Sequence, residues 1–264
     1  MRTNHEIDYK IYGEELQFVE IELDPRETAI AESGAFMMMD DGIEMQTIFG
    51  DGSQQQQSSG ILGKIMSAGK RLLVGESLFM TAFTNVGQGK KKVSFASPYT
   101  GKIIMFDLQQ LGGKIIAQKD AFLCAAKGVS IGIEFQRRLG TGIFGGEGFI
   151  MQKLEGDGLA FAHAGGYVVE KNLRTGEILK VDTGCVVAYT AGVDFDIEMV
   201  RGIKNFMFGG EGLFFAVLRG PGKVWLQSLP ISRLAGRIMQ YGTYKRKEEG
   251  SILGGLGNLL DGRE

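Results

Sequence analysis

The chain has 264 residues, 44% of them apolar and 23% charged, which is ordinary for a globular protein and long enough to bury one or two cores. A net charge of −2 lacks the basic excess of a dedicated nucleic-acid binder, and two cysteines are too few for a disulfide framework. Glycine, at 41 residues, is about twice its usual share, with no Gly-x-y period; it falls singly or in pairs between short apolar runs, the composition of a protein with many tight turns.

The N-terminal residues 1–13 lack the apolar stretch of a secretory signal. No later run approaches the ~18 apolar residues of a membrane-spanning helix, so a soluble, cytoplasmic protein is expected. The segment 24–36, DPRETAIAESGAF, opens the first of three similar stretches. Gly42-Ile43-Glu44-Met45-Gln46 follows, then a polar segment with Gln54–Gln57, and ILGKIMSAGKRLL at 61–73. Ile61, Leu62, Ile65, Met66, Leu72 and Leu73 can share one helical face there, either packed on the body of the protein or facing an acidic lipid surface or a partner. Val74-Gly75-Glu76-Ser77 and Gly87-x-Gly89 complete this stretch, and Pro98 closes its last strand.

The second stretch opens with GGKIIAQKDAFLCAA (112–126) and repeats the earlier motif as Gly132-Ile133-Glu134-Phe135-Gln136. FGGEG (144–148) and Gly156-x-Gly158 follow. The third opens with TGEILKVDTGCVVAY (175–189), and at an offset of 64 residues it repeats FGGEG (208–212) and Gly220-x-Gly222. Over 132–158 and 196–222, 11 of 27 ungapped positions are identical, far beyond chance. The two later stretches span 13 residues between glutamates 134 and 147 and between 198 and 211. The first spans 32, from Glu44 to Glu76, which places a 19-residue insertion at 50–68. In VDFDIEMV (193–200), Val193, Phe195, Ile197 and Met199 alternate with Asp194, Asp196 and Glu198, the pattern of a half-buried strand.

The fold expected is all-β: three tandem β-sandwich or short β-helix-like repeats in a pseudo-threefold arrangement, with one or two short helices. The repeats are placed at 1–105 (insertion 50–68), 106–165 and 166–232. Residues 233–264 form the end of a short helix (231–241) and a tail. A lone unit of ~60 residues is marginal, whereas three side by side share a core and cover each other's edges.

The order of Leu23-x-Pro25-x-Glu27, Ala31-Glu32-x-Gly34-Ala35-Phe36, the two FGGEG turns and GxGxVWLQSLP (220–230) resembles the altered inheritance of mitochondria protein 24 family, over about residues 7–241. The sequence departs from the family's Pro-Gly-Glu at Arg26. The resemblance implies three units with a fold similar to the tryptophan RNA-binding attenuation protein, and homo-oligomers. It carries no assigned activity, and a shared fold does not transfer tryptophan or RNA binding.

Glu76, Glu147 and Glu211 each follow glycine in the recurring turn. They either accept neighbouring backbone N–H groups or converge on the internal axis as a site for a cation or polar ligand. Arg137 and Arg201, with Lys70, Arg71, Arg138 and Lys204, either form a solvated rim or a positive collar for an anion. Glu44, Glu134 and Glu198 are expected on solvated strand faces. His163 is expected to be a packed or surface strand residue, and Cys124 and Cys185 to be buried thiols.

No zinc spacing, Ser-His-acid set or G-x-S-x-G exists, and the glycines near 140–148 precede strand-like sequence, not the helix of a dinucleotide site. The reading is a non-enzymatic scaffold or interaction protein acting as a β-repeat oligomer, with no catalytic residue, cofactor or metal. The alternative is a binding module for a small anionic or polar ligand on the axis or between repeats. The partners expected are further copies of the chain, a protein docked on the Leu-rich tail, and a peripheral acidic lipid surface.

Overall fold

Strict alternation builds the strand β2 (Phe18–Leu23), where Val19, Ile21 and Leu23 are fully buried. Its outward Glu20 and Glu22 meet Lys92 and Lys90. The computed structural model describes residues 3–32, 34–49, 79–137, 148–199, 214–239 and 241. Among them the chain is all-β, apart from short 3-10 turns and one helix over 231–239.

An N-terminal strand β1 (Asp8–Tyr12) pairs with β2. The remaining strands follow in three runs of six. The first is β2, β3 (Thr28–Glu32), β4 (Phe36–Met39), β5 (Ile43–Phe49), β6 (Phe79–Asn85) and β7 (Lys91–Ala96). The second is β8 (Gly101–Asp107), β9 (Lys114–Gln118), β10 (Phe122–Ala126), β11 (Ser130–Arg137), β12 (Phe149–Glu155) and β13 (Leu159–Gly165). The third is β14 (Val168–Leu173), β15 (Ile178–Asp182), β16 (Val186–Thr190), β17 (Asp194–Met199), β18 (Phe214–Arg219) and β19 (Gly222–Gln227).

All the ladders are antiparallel, and in every run the first and third strands pair with the sixth. The second and fourth pair with the fifth. The third strand carries a bulge at the same place each time, between Phe36 and Met38, Phe122 and Cys124, and Val186 and Ala188.

Consecutive runs are joined by one further ladder each. The second strand of one run pairs with the third strand of the next: β3 with β10, and β9 with β16. These two joints extend the sheets into six-stranded orders, β5-β6-β3-β10-β13-β8 and β11-β12-β9-β16-β19-β14. The strands at the joints are covered on both faces, so β10 reads FLCAA with every residue buried. A core containing Ile30, Phe106, Ile115, Leu154 and Trp225 lies between the two sheets, with the Phe106 and Trp225 rings edge-to-face at 5.0 Å. Separate clusters around Phe83 and Phe95, and around Phe149 and Tyr189, fill the two flanks.

The turn into β3 shows what the departure at Arg26 costs. Glu27 accepts from the Asp24 N–H through Oε2 at 2.7 Å, and its own N–H donates to the Asp24 carbonyl at 2.9 Å. The turn before β15 is built the same way from Arg174 and Glu177, with Gly176 at φ +79°. Arg26 holds φ +73° in that place, a left-handed conformation in which a Cβ is strained. Arg26→Gly is therefore expected to stabilise the protein by about 1 kcal/mol. The check is a rise in the urea midpoint with an unchanged m-value.

The glycines at 156 and 158 have a different cause. The Asn4 side chain fills the turn, and its Oδ1 accepts from the N–H groups of Asp157 (2.6 Å) and Gly158 (2.9 Å). A Cβ on Gly156 would sit 2.4 Å from that oxygen, at φ +149°. The Asp157 carboxylate accepts in turn from the backbone of Thr3 and Asn4, so the N-terminal segment is strapped across the second run.

The short helix expected at 231–241 starts after Pro230, whose carbonyl accepts from Arg233 and Leu234. Ile238 and Met239 of its expected apolar side are 64% and 71% exposed. Cys124 is buried as its apolar run predicts. Cys185 is only half-buried, because the run is interrupted by a 3-10 turn (Thr183–Cys185) that ends on it before β16 begins.

Candidate functional site

Of the residues singled out from the sequence, Glu76, Glu147, Glu211 and Arg201 lie outside the described residues, as do segments 61–73 and 247–264. Arg137 ends β11, and its Nη1 donates to the Ile197 carbonyl of β17 at 2.7 Å and lies 3.9 Å from Asp196 Oδ1. It ties two runs of strands together. Glu134 and Glu198 stand on outward faces, paired with Lys114 at 3.0 Å and Lys180 at 2.6 Å, and Glu44 is exposed. Among the described residues no three His, Cys, Asp or Glu side chains gather as metal ligands, and no helix is long and apolar enough to cross a membrane.

Several ionisable groups are held away from their ordinary range, and two of them, Glu32 and His163, bear most on stability between pH 4 and 8. Glu32, at the end of β3, is pushed up to about 7, chiefly by burial, then by the Asp120 carboxylate, with Lys119 opposing. An acid whose folded pKa exceeds its unfolded value of ~4.5 loses native stability as pH rises from about 4.5 to about 7. Glu32→Gln is therefore expected to stabilise the protein at pH 8, by roughly 1–2 kcal/mol, and to leave it unchanged at pH 4. Chemical denaturation at the two pH values checks this. The second group is His163, buried on β13 and brought down to about 4.

The feature that sequence reasoning missed is the pair of strands left at the ends of the joint series. Each internal joint pairs a second strand with the third strand of the following run. That leaves β4, the third strand of the first run, and β15, the second strand of the last. The expected pseudo-threefold set requires these two to meet, and in the structure they are not paired with each other. β4 is hydrogen-bonded only to β7, and β15 only to β18, among the described residues.

The side chains at these edges do not match an exposed position. Phe36, Met37, Met38 and Met39 are four consecutive large apolar residues, with exposures of 40%, 48%, 45% and 39%. The corresponding strand β10 is buried throughout, and β16 nearly so. A continuous apolar run is the pattern of a strand covered on both faces, and β4 carries that pattern uncovered. On β15, Ile178 is 57% exposed, while Leu179 and Val181 pack against the core of the third run. Exposed edges of this kind pair with another strand unless charge, proline or brevity prevents it. The sequence signal was available in Met37-Met38-Met39, which stands where the other runs read Leu123-Cys124-Ala125 and Val187-Ala188-Tyr189.

Residues 9–229 match the family model described as mitochondrial biogenesis AIM24. An uncharacterised protein of Streptococcus pyogenes serotype M6 is 29% identical over 227 residues, covering 84% of this chain and 86% of that protein. The crystal structure of a protein from Streptococcus pyogenes superposes with a TM-score of 0.69 at 23% identity, over 89% of this chain and 99% of that one, a likeness of fold.

Proposed function

The chain belongs to the mitochondrial biogenesis AIM24 family, and from its open sheet edges we propose that it is a non-enzymatic scaffold that works by associating through strands. The single observation behind this reading is β4: an edge strand of four exposed apolar residues, in a position that the other two runs bury. An apolar strand edge gains both backbone hydrogen bonds and apolar burial when another strand is added to it. Three repeats sharing a core would make the body stiff and leave its two ends as the reactive parts. A cytoplasmic setting belongs to the same proposal, since both thiols are free, as in a reducing compartment.

Native mass spectrometry and light scattering on the full chain test this. An assembly that persists at micromolar concentration is expected, and it should survive removal of residues 247–264 if the edges and not the tail drive it. A strictly monomeric protein overturns the proposal. A thermal-shift response to metals, nucleotides or lipid headgroups in a monomer would transfer the weight to ligand binding, because a ligand of the native state raises its stability.

A further inference from the structure

We infer that the strand added to β15 is β4 of a second copy of this chain, in a fixed antiparallel register that places Val181 opposite Met38, Lys180 opposite Met39 and Leu179 opposite Asp40. This rests on the association proposed above and names its partner and geometry. The argument begins from the two joints already made inside the chain. In the first, Ala31, Ile30 and Ala29 of β3 face Cys124, Ala125 and Ala126 of β10. In the second, Ala117, Ile116 and Ile115 of β9 face Ala188, Tyr189 and Thr190 of β16. The two registers are the same once the runs are aligned.

The alignment is fixed independently on each strand. Cys124 and Ala188 are the first residues paired after the bulge of the third strand, and in β4 that residue is Met38. Ala31 and Ala117 face Thr81 of β6 and Gln152 of β12, and those residues also face Thr47 and Ile133, each five residues after the turn glycine, Gly42 or Gly128, that precedes the fourth strand; the ladders therefore match Ile133 to Thr47 and not, as the repeated Gly-Ile-Glu motif suggests, to Ile43. In the last run the residue in that place is Val181, which faces Ala216, itself opposite Ile197. Repeating the joint once more therefore brings Val181 to Met38.

The side chains agree with that pairing. The internal joints bury Cys124, Ala125, Ala188, Ala31 and Ala117 completely. At the open ends the corresponding Met38, Met39 and Val181 are apolar, with the two methionines exposed. Two charged residues fall in the register: Lys180 on the β15 side is held by Glu198 at 2.6 Å, and Asp40, at the end of the β4 side, accepts from the Lys92 N–H at 2.9 Å. Two different edges meeting head to tail make a heterologous contact, which generates a ring or a filament. A two-fold dimer through β4 against β4 would instead leave β15 open.

Cysteine cross-linking of the full chain decides the matter. Directly opposed residues of an antiparallel pair have Cα atoms ~4.5–5.5 Å apart, within disulfide reach. The M38C/V181C double variant is expected to give covalent multimers on non-reducing gels after mild oxidation. Neither single variant should rise above the parent protein, which supplies the background from Cys124 and Cys185. Multimers from M38C alone would show a two-fold contact and overturn the inference. So would a cross-link confined within one chain. An assembly seen by light scattering that no double-variant cross-link captures would overturn the register while leaving the scaffold reading intact; a monomer would remove both.

Discussion

Met38→Asp should abolish association and leave the folded chain as stable as the parent. In the single chain Met38 is 45% exposed, so a carboxylate there stays in water, and the change in unfolding free energy should fall within about 0.5 kcal/mol. In the joined state the same position corresponds to Cys124 and Ala188, both fully buried. Burying a carboxylate without a partner costs several kcal/mol, and each ~1.4 kcal/mol is tenfold in an equilibrium constant. The dissociation constant is therefore expected to rise by roughly 100-fold or more. Sedimentation at several concentrations measures it, and circular dichroism in urea measures the stability of the same sample. A loss of assembly accompanied by a large loss of stability would mean that Met38 is simply part of the monomer's core.

The all-β class was legible because strand sequences report their own environment. Val193, Phe195 and Ile197 alternate with acidic residues in a run whose faces differ, and the structure makes β17 there. The Gly-x-Gly at 156–158 was visible as a turn, but its cause was not, because Asn4 reaches it from 152 residues away in sequence. A side chain that acts at such separation leaves no local pattern. The edge strands were hidden for a different reason. A run such as Phe36–Met39 states that both faces want cover, and it does not state whether the cover comes from the same chain. Only the ladder order, with β3 on β10 and β9 on β16, identifies which strands remain unserved. The recurring glutamates Glu76, Glu147 and Glu211 stand out by repetition alone. Repetition marks a place that recurs in the fold, and it does not distinguish a turn from a site.

A second pH effect within the monomer, opposite in sign to that of Glu32, should come from His163. Its ring lies edge-to-face on Tyr99 at 4.3 Å, is 1% exposed, and among the described residues neither of its nitrogens has a hydrogen bond of ordinary geometry. Burial accordingly brings its pKa down to about 4, the Tyr99 backbone opposing the shift. The native state thus holds the imidazole neutral at a pH where the unfolded chain, at its ordinary ~6.5, is already protonated. The unfolded state binds the extra proton, so native stability is complete above about 6.5 and is lost as pH falls toward 4. The loss from this one group is at most about 3 kcal/mol. His5 adds to it in the same direction: burial, and then the Lys127 ammonium, lowers its pKa, and its Nδ1 accepts from the Thr28 N–H. Glu32 acts in the opposite sense over the same interval, so the total slope of the parent protein does not isolate His163. The difference between parent and His163→Phe does. Whatever the phenylalanine does to packing at neutral pH, that offset is constant with pH, whereas the imidazole contribution is not. Stability of the variant relative to the parent should therefore rise by up to about 3 kcal/mol between pH 7 and pH 4. A difference that stays flat across this range would mean that His163 finds a proton-accepting partner in solution and titrates normally.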